Sequence, residues 1–263
     1  MLTDCHTHLY LEEFDHDFSQ VLERAAHSGI GRMVNAAIDI ATSRKVIEMA
    51  AAFPPLYAAV GIHPQSAGDL TAGYMDKLPR LAASPEVVAI GEIGLDYYRG
   101  NMHREAQLSL FKNQLELAGR LGLPVILHCR EAEDDMQALL ADWISHTPPC
   151  RGKWRGVRHC FNADLPTAGF YIDAGFMLSF GGYIGYPSSA GLRRTIEHIP
   201  IEAILLETDC PYLPPQEFRG KRNEPAYLTF TARVMADIKG MAYQDAARLT
   251  TASAGVLFNF GVV

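Results

Sequence analysis

The sequence predicts an α/β chain of the (β/α)8 TIM-barrel class, formed as a single domain over residues 1–263. Three observations predict it. The length of 263 residues is close to the ~250 typical of one such barrel. Short apolar runs alternate with segments of helical period from end to end. The first apolar run leads into His6-Thr7-His8 rather than a glycine-rich dinucleotide turn, which disfavours a doubly wound open sheet.

The apolar runs place strands at 2–5, 32–37, 56–61, 87–91, 125–128, 156–159, 176–179 and 203–207. Several are apolar on both faces, as strands of a closed parallel sheet must be. Amphipathic helices are predicted between them at 19–28, 44–52, 104–121, 134–144 and 191–198, and two more follow at 227–238 and 243–257. In the longest, Gln107, Leu108, Phe111, Leu115, Ala118 and Leu121 share one face. Pro54-Pro55 and Pro148-Pro149-Cys150 fall in loops ahead of strands. No repeat, low-complexity tract or linker divides the chain.

Hydrophobic residues make up 48% of the chain, enough for a large core. The start carries no basic and apolar leader pattern, and no apolar run reaches the ~18 residues of a membrane span. Five cysteines, an odd number without disulfide-framework spacing, fit a reducing compartment, so a cytoplasmic, membrane-free, monomeric protein with no obligate protein partner is expected. The net charge of −7 argues against a broad basic nucleic-acid-binding face. It leaves room for an enzyme that meets a polyanion through a local cationic patch or metal ions.

The chemistry is carried by polar residues at strand ends. His6 and His8, spaced i, i+2 in an extended segment, aim both rings at one side. Alone, such a pair occurs by chance in many proteins. The pattern recurs, however, with Glu92, His128, His159 and Asp209 each closing an apolar strand, the place where barrel enzymes hold catalytic residues. Four histidines and two carboxylates are costly to bury together without a cation. Six such donors exceed the needs of one tetrahedral ion and suit two divalent ions, for which Mg²⁺, Mn²⁺ and Zn²⁺ all remain open. His63, after the third strand, is a candidate donor to a substrate oxygen. Arg130 and the Arg219-Gly220-Lys221-Arg222 loop offer a phosphate clamp, against the plainer reading of a solvated surface. Cys5, Cys129, Cys160 and Cys210 each neighbour a proposed ligand, and alternation turns them away from it as small, inert thiols.

These motifs resemble the TatD family of metal-dependent deoxyribonucleases, within the amidohydrolase-like barrels. The resemblance rests on Asp4-Cys5-His6-Thr7-His8, Gly61-Ile62-His63-Pro64, Gly91-Glu92-Ile93-Gly94-Leu95-Asp96, Leu127-His128-Cys129-Arg130, His159-Cys160-Phe161, Glu207-Thr208-Asp209-Cys210-Pro211 and Arg222-Asn223-Glu224-Pro225, in family order across nearly the whole chain. It implies a distorted amidohydrolase-like barrel in which His6, His8, Glu92, His128, His159 and Asp209 bind two metals, Glu92 bridging them. His63 matches a position linked to substrate phosphate and catalysis. The sequence departs from the pattern at Cys210, where Ala or Ser is common, and at Asn162-Ala163-Asp164, where Ser/Thr-Gly is usual.

The expected activity is hydrolysis of DNA phosphodiesters by metal-activated water, as a 3′–5′ exodeoxyribonuclease acting on single strands or 3′ ends. Asp209 would take the proton of the attacking water, and His63 with the Arg222 loop would neutralise charge on phosphate. The same centre would serve a small-molecule hydrolase of amides, lactones or phosphoesters. A closed ligand shell would instead mark a binding protein with a structural metal.

Overall fold

The computed structural model describes residues 1–70, 73–98, 100 and 103–260; of the expected domain 1–263, residues 71, 72, 99, 101, 102 and 261–263 lie outside the described residues. In chain order the main elements are β1 (Leu2–Thr7), α1 (Phe18–His27), β2 (Ile30–Ala36), α2 (Ile40–Ala52), β3 (Leu56–Val60), α3 (Tyr74–Ala82), β4 (Val87–Asp96), α4 (Arg104–Leu121) and β5 (Val125–Arg130). They continue with α5 (Glu133–His146), β6 (Gly156–Arg158), α6 (Leu165–Asp173), β7 (Phe176–Phe180), α7 (Ala190–His198), β8 (Ile204–Leu206), α8 (Leu228–Lys239) and α9 (Tyr243–Phe258). All eight strands lie in one sheet in the order β1 to β8, with helices between them. This is the (β/α)8 barrel that the alternation predicts. No helix among the described residues is long and apolar enough to cross a membrane.

Two helices are absent from the sequence reading. α3 holds Pro79 in its interior, a residue read as a breaker, and α6 is a short, largely apolar run without a clear polar face. The chain packs as two compact units.

The first unit comprises Met1–Asn35, His159–Asp173 and Met177–Val263. Here β1 runs parallel to β2, with Leu2 opposite Ile30 and Asp4 opposite Met33, and β7 runs parallel to β8, with Leu178 opposite Ile204. A parallel bridge joins Thr7 to Cys210, so the end of β1 is tied to the segment after β8. α8 closes on Gly240 at φ 60°, where the Met241 amide reaches the Ala236 carbonyl at 3.0 Å. This left-handed cap is one that glycine adopts without strain.

The second unit comprises Ala36–Arg158 and Ala174–Phe176, with β3 to β6 parallel. Between Ile90 and Ile93 the register on β5 advances only from Val125 to Leu127, so one extra residue is accommodated in β4 around Glu92. Such a bulge re-aims a side chain. The Glu92 amide accordingly donates to the Ala37 carbonyl at 3.0 Å. The sequence reading ends this strand at 91; the structure continues it to Asp96 and sets Glu92 in mid-strand, because the bulge absorbs the break in alternation. Close approach here requires glycine: a Cβ on Gly94, at φ 143°, would lie 1.9 Å from the His128 carbonyl oxygen.

α4 buries two amides among its apolar residues. Gln114 accepts from the Ile62 amide at 2.8 Å and donates to the Ile62 carbonyl at 3.0 Å. Gln107 does the same for Asp96, at 2.8 and 3.0 Å. Each glutamine thus completes the hydrogen bonding of a peptide unit beside a site residue. Replacing Gln107 by Leu would keep the volume but leave two buried backbone groups unpaired, at about 1–3 kcal/mol for each. Chemical denaturation should show Gln107→Leu less stable by several kcal/mol; a loss no larger than that of an exposed α4 substitution would refute the bracing role.

Candidate metal centre

β1 and the turn after β8 build one donor group. His6 and His8 are buried, with their Nε2 atoms 3.1 Å apart. Both rings face Asp209 Oδ1, at 3.7 Å from His6 and 3.3 Å from His8. Two imidazole nitrogens and a carboxylate oxygen turned on one point are a donor set suited to a cation. Tyr10 Oη lies 3.3 Å from His8 Nδ1, so the other face of this ring is engaged and Nε2 is left towards Asp209. That arrangement, an outer partner fixing the ring, is the usual support of a metal-ligating histidine.

Asp209 adopts φ 55°, an uncommon conformation for a residue with a Cβ. Hydrogen bonds hold it there: its amide donates to the His6 carbonyl at 2.9 Å. Burial alone would raise its carboxyl, but the His8 hydrogen bond and the His6, His8 and His159 charges outweigh that and hold it below the usual range. The turn is braced by Asn223, whose Nδ2 donates to the carbonyls of Thr208 and Tyr212 at 2.8 and 2.7 Å. Asp4 accepts from the Thr208 amide at 2.9 Å and its hydroxyl at 2.6 Å, and burial pushes this carboxyl up to about 8.

His159 follows β6 and stacks on His6, with ring centroids 4.0 Å apart. Its Nδ1 is 3.7 Å from Glu207 Oε1. Glu207 is fully buried and accepts from the Cys160 amide at 2.8 Å and the Ser179 hydroxyl at 2.5 Å. His6, His159 and Glu207 form a second grouping able to hold a cation.

In the other unit, Glu92, His63 and His128 form a third. His128 Nδ1 lies 2.7 Å from Glu92 Oε1, and its Nε2 lies 3.2 Å from Asp96 Oδ2. With Nε2 engaged by Asp96, Nδ1 is the ring atom turned towards Glu92. Burial would raise the Asp96 carboxyl, but hydrogen bonds from His128 and the Tyr98 amide, the His128 charge and the Gln65 amide hold it at about 2. His63 differs. Its Nδ1 accepts from the Gln65 amide at 3.2 Å, so the neutral ring carries its proton on Nε2, 3.6 Å from Glu92 Oε1. That tautomer favours a hydrogen-bond donor over a ligand.

The two arginines have other partners among the described residues. Arg130 rests over the Tyr98 ring, 3.4 Å from its centroid. Arg222 is held by Asp17 at 2.7 and 2.8 Å, and Glu224 holds Arg24 at 2.8 and 2.7 Å. Cys5, Cys129 and Cys210 are buried, with burial pushing the Cys129 thiol up to about 12. Cys160 is half-buried at φ 48°; β6 ends at Arg158, so strand alternation does not extend to it.

The family model for TatD-related DNases matches residues 3–259. The chain belongs to that family. A relative described as an uncharacterized metal-dependent hydrolase, YabD of Bacillus subtilis, is 36% identical over 258 residues, covering 98% of this chain and 99% of its own. The 3′-5′ ssDNA/RNA exonuclease TatD of Erwinia billingiae is 34% identical over 261 residues, covering 97% and 98%. The crystal structure of YjjV, a TatD homologue from Escherichia coli K12, superposes with a TM-score of 0.91 at 31% identity, over 98% of each chain. The chain is therefore a TatD-family metal-dependent hydrolase.

Sequence reasoning missed Tyr10, Asp96 and Glu207. Asp96 stands four residues beyond Glu92 on one side of an extended strand, a signal lost when the strand is ended at Gly91. Replacing Asp96 by Asn should weaken divalent-ion binding by about 10–100-fold, read by equilibrium dialysis. Because the Asp96 carboxyl is depressed in the folded state, its stabilising share is present above pH ~4 and lost as pH falls towards 2. The melting-temperature gap between wild type and Asp96→Asn should narrow over that interval; a gap constant with pH would contradict this assignment.

Proposed function

We propose that this chain hydrolyses phosphodiester bonds of single-stranded DNA from the 3′ end, acting as one domain with two divalent ions of Mg²⁺, Mn²⁺ or Zn²⁺ type. The observation that carries this reading is the pair of donor groups, His6–His8–Asp209 and Glu92–His128, each with imidazole and carboxylate atoms turned on a common point. The 34% identity to a relative named as a 3′-5′ ssDNA/RNA exonuclease supports the substrate class. Divalent ions, when bound, supply charge neutralisation at the phosphate and a lowered pKa for nearby water.

The protein's own residues do the rest. His6, His8 and Asp209 would hold one ion, and Glu92 and His128 the other, with His159 a further donor beside His6. Asp209, kept ionised at neutral pH, would accept the proton of the attacking water. His63, with its proton on Nε2, would donate to a non-bridging phosphate oxygen. Arg130 makes no ion pair with the described residues and is exposed, so it is available to a phosphate. Arg222 would first have to leave Asp17, which gives Arg130 the larger share. Cysteine content supports a cytoplasmic setting.

The test is release of mononucleotides from 5′-labelled single-stranded DNA, with and without chelator, for wild type and Glu92→Ala. Shortening from the 3′ end that needs Mg²⁺ or Mn²⁺ and falls at least about 100-fold in the variant is expected, the size of effect seen when charge stabilisation at a reacting centre is removed. A wild type inert towards oligonucleotides in every metal, yet active on small esters or amides, would replace this reading by that of a small-molecule hydrolase.

A further inference from the structure

A cavity of about 540 Å³ opens within the second unit, beside His63. Its size falls in the range that small organic ligands occupy. Two helices supply its walls. Ile40 and Arg44 stand one turn apart on α2, and Tyr74 and Lys77 one turn apart on α3, so each helix contributes an apolar group near the floor and a cation near the rim. The floor is firm: Ile40, Leu70 and Tyr74 pack against the buried cluster of Ile62, Ala67 and Leu110. The Tyr74 hydroxyl is met by the Asn113 side-chain amide at 3.4 Å.

The charge is arranged for an anion. Arg44 and Lys77 are exposed and make no ion pair with the described residues. The carboxylate in the lining, Asp39, is turned into the start of α2, accepting from the Thr42 amide at 2.7 Å and its hydroxyl at 2.8 Å. A half-buried aromatic ring, an aliphatic floor and two unpaired cations match one ligand class, an aromatic base with an attached phosphate. His63 lines the cavity and also faces Glu92 at 3.6 Å, so the cavity and the Glu92–His128 donor group share a wall.

We propose that this cavity is a nucleotide subsite: its ring and aliphatic floor hold a base, and Arg44 and Lys77 hold a phosphate of the strand next to the scissile one. The inference rests on the nuclease reading for its place in the reaction, but binding at the cavity is testable by itself.

The probe is deoxyadenosine 5′-monophosphate, titrated calorimetrically into the intact chain. The variants are Tyr74→Ala, Arg44→Glu and Lys77→Glu, with Lys112→Glu, an exposed charge reversal on α4, as control. The two rim reversals are on exposed side chains, so they keep the test open should Tyr74→Ala fold poorly. The nucleotide should bind wild type and the control equally and each cavity variant at least about tenfold more weakly. The KM for single-stranded DNA should rise by a similar factor, while hydrolysis of bis(4-nitrophenyl) phosphate, too small to span both places, stays unchanged. Equal nucleotide binding by all variants, or none by wild type at millimolar concentration, would overturn the subsite. If wild type cleaves DNA and the cavity variants cleave it equally well, the subsite falls and the nuclease stands. If the nucleotide binds as expected but no metal supports DNA cleavage, the nuclease falls and the cavity remains a nucleotide site.

Discussion

Burial of ionisable groups without their solvation is the constraint on which the rest of this structure depends. His6, His8, Glu92 and Asp209 are all buried, and such groups are tolerated only when paired or when they hold a cation. In the first unit, two imidazoles and a carboxylate face one another at 3.1–3.7 Å. In the second, Glu92 and His128 meet at 2.7 Å. Each unit therefore brings its own donors to a point, and the surrounding structure is organised to keep them there.

That organisation is made largely from backbone geometry and uncharged amides. The bulge at Glu92 turns a carboxylate out of register with its neighbours, and Gly94 lets β4 lie against the His128 peptide. Gln107 and Gln114 tie α4 to Asp96 and Ile62, fixing the residues that in turn orient His128 and His63. On the other unit, Asn223 and Asp4 hold the Thr208–Tyr212 turn from which Asp209 projects. Asn223 and Glu224, which follow the Arg222 loop, brace a turn and anchor Arg24. Arg222 likewise is neutralised by Asp17.

The barrel was legible in the sequence because its signals are periodic. Strands buried on both faces read as apolar runs, and α4 was placed at its observed bounds by a single continuous face. The six expected donors stood out because each polar residue interrupts or closes such a run. What could not be read depends on local breaks in the pattern and on contacts that only the fold supplies. α3 was hidden by Pro79, and α6 by the lack of a polar face. The extent of β4 was hidden by a bulge that breaks alternation at Gly91 and Glu92, and Asp96 disappeared with it. Gln107 reads as part of an apolar face, since only the fold reveals the Asp96 backbone beside it. The tautomer of His63 depends on the Gln65 amide, two residues away, through a turn that composition does not specify.

The proposed two-ion centre depends on two separate donor groups. Elemental analysis after dialysis against Mn²⁺ is the direct measurement, applied to wild type, His8→Ala and His128→Ala. Two ions per chain in wild type and about one in each variant, with the fold retained by circular dichroism, is the result this structure predicts. A single ion in wild type, or two ions retained in either variant, would contradict it.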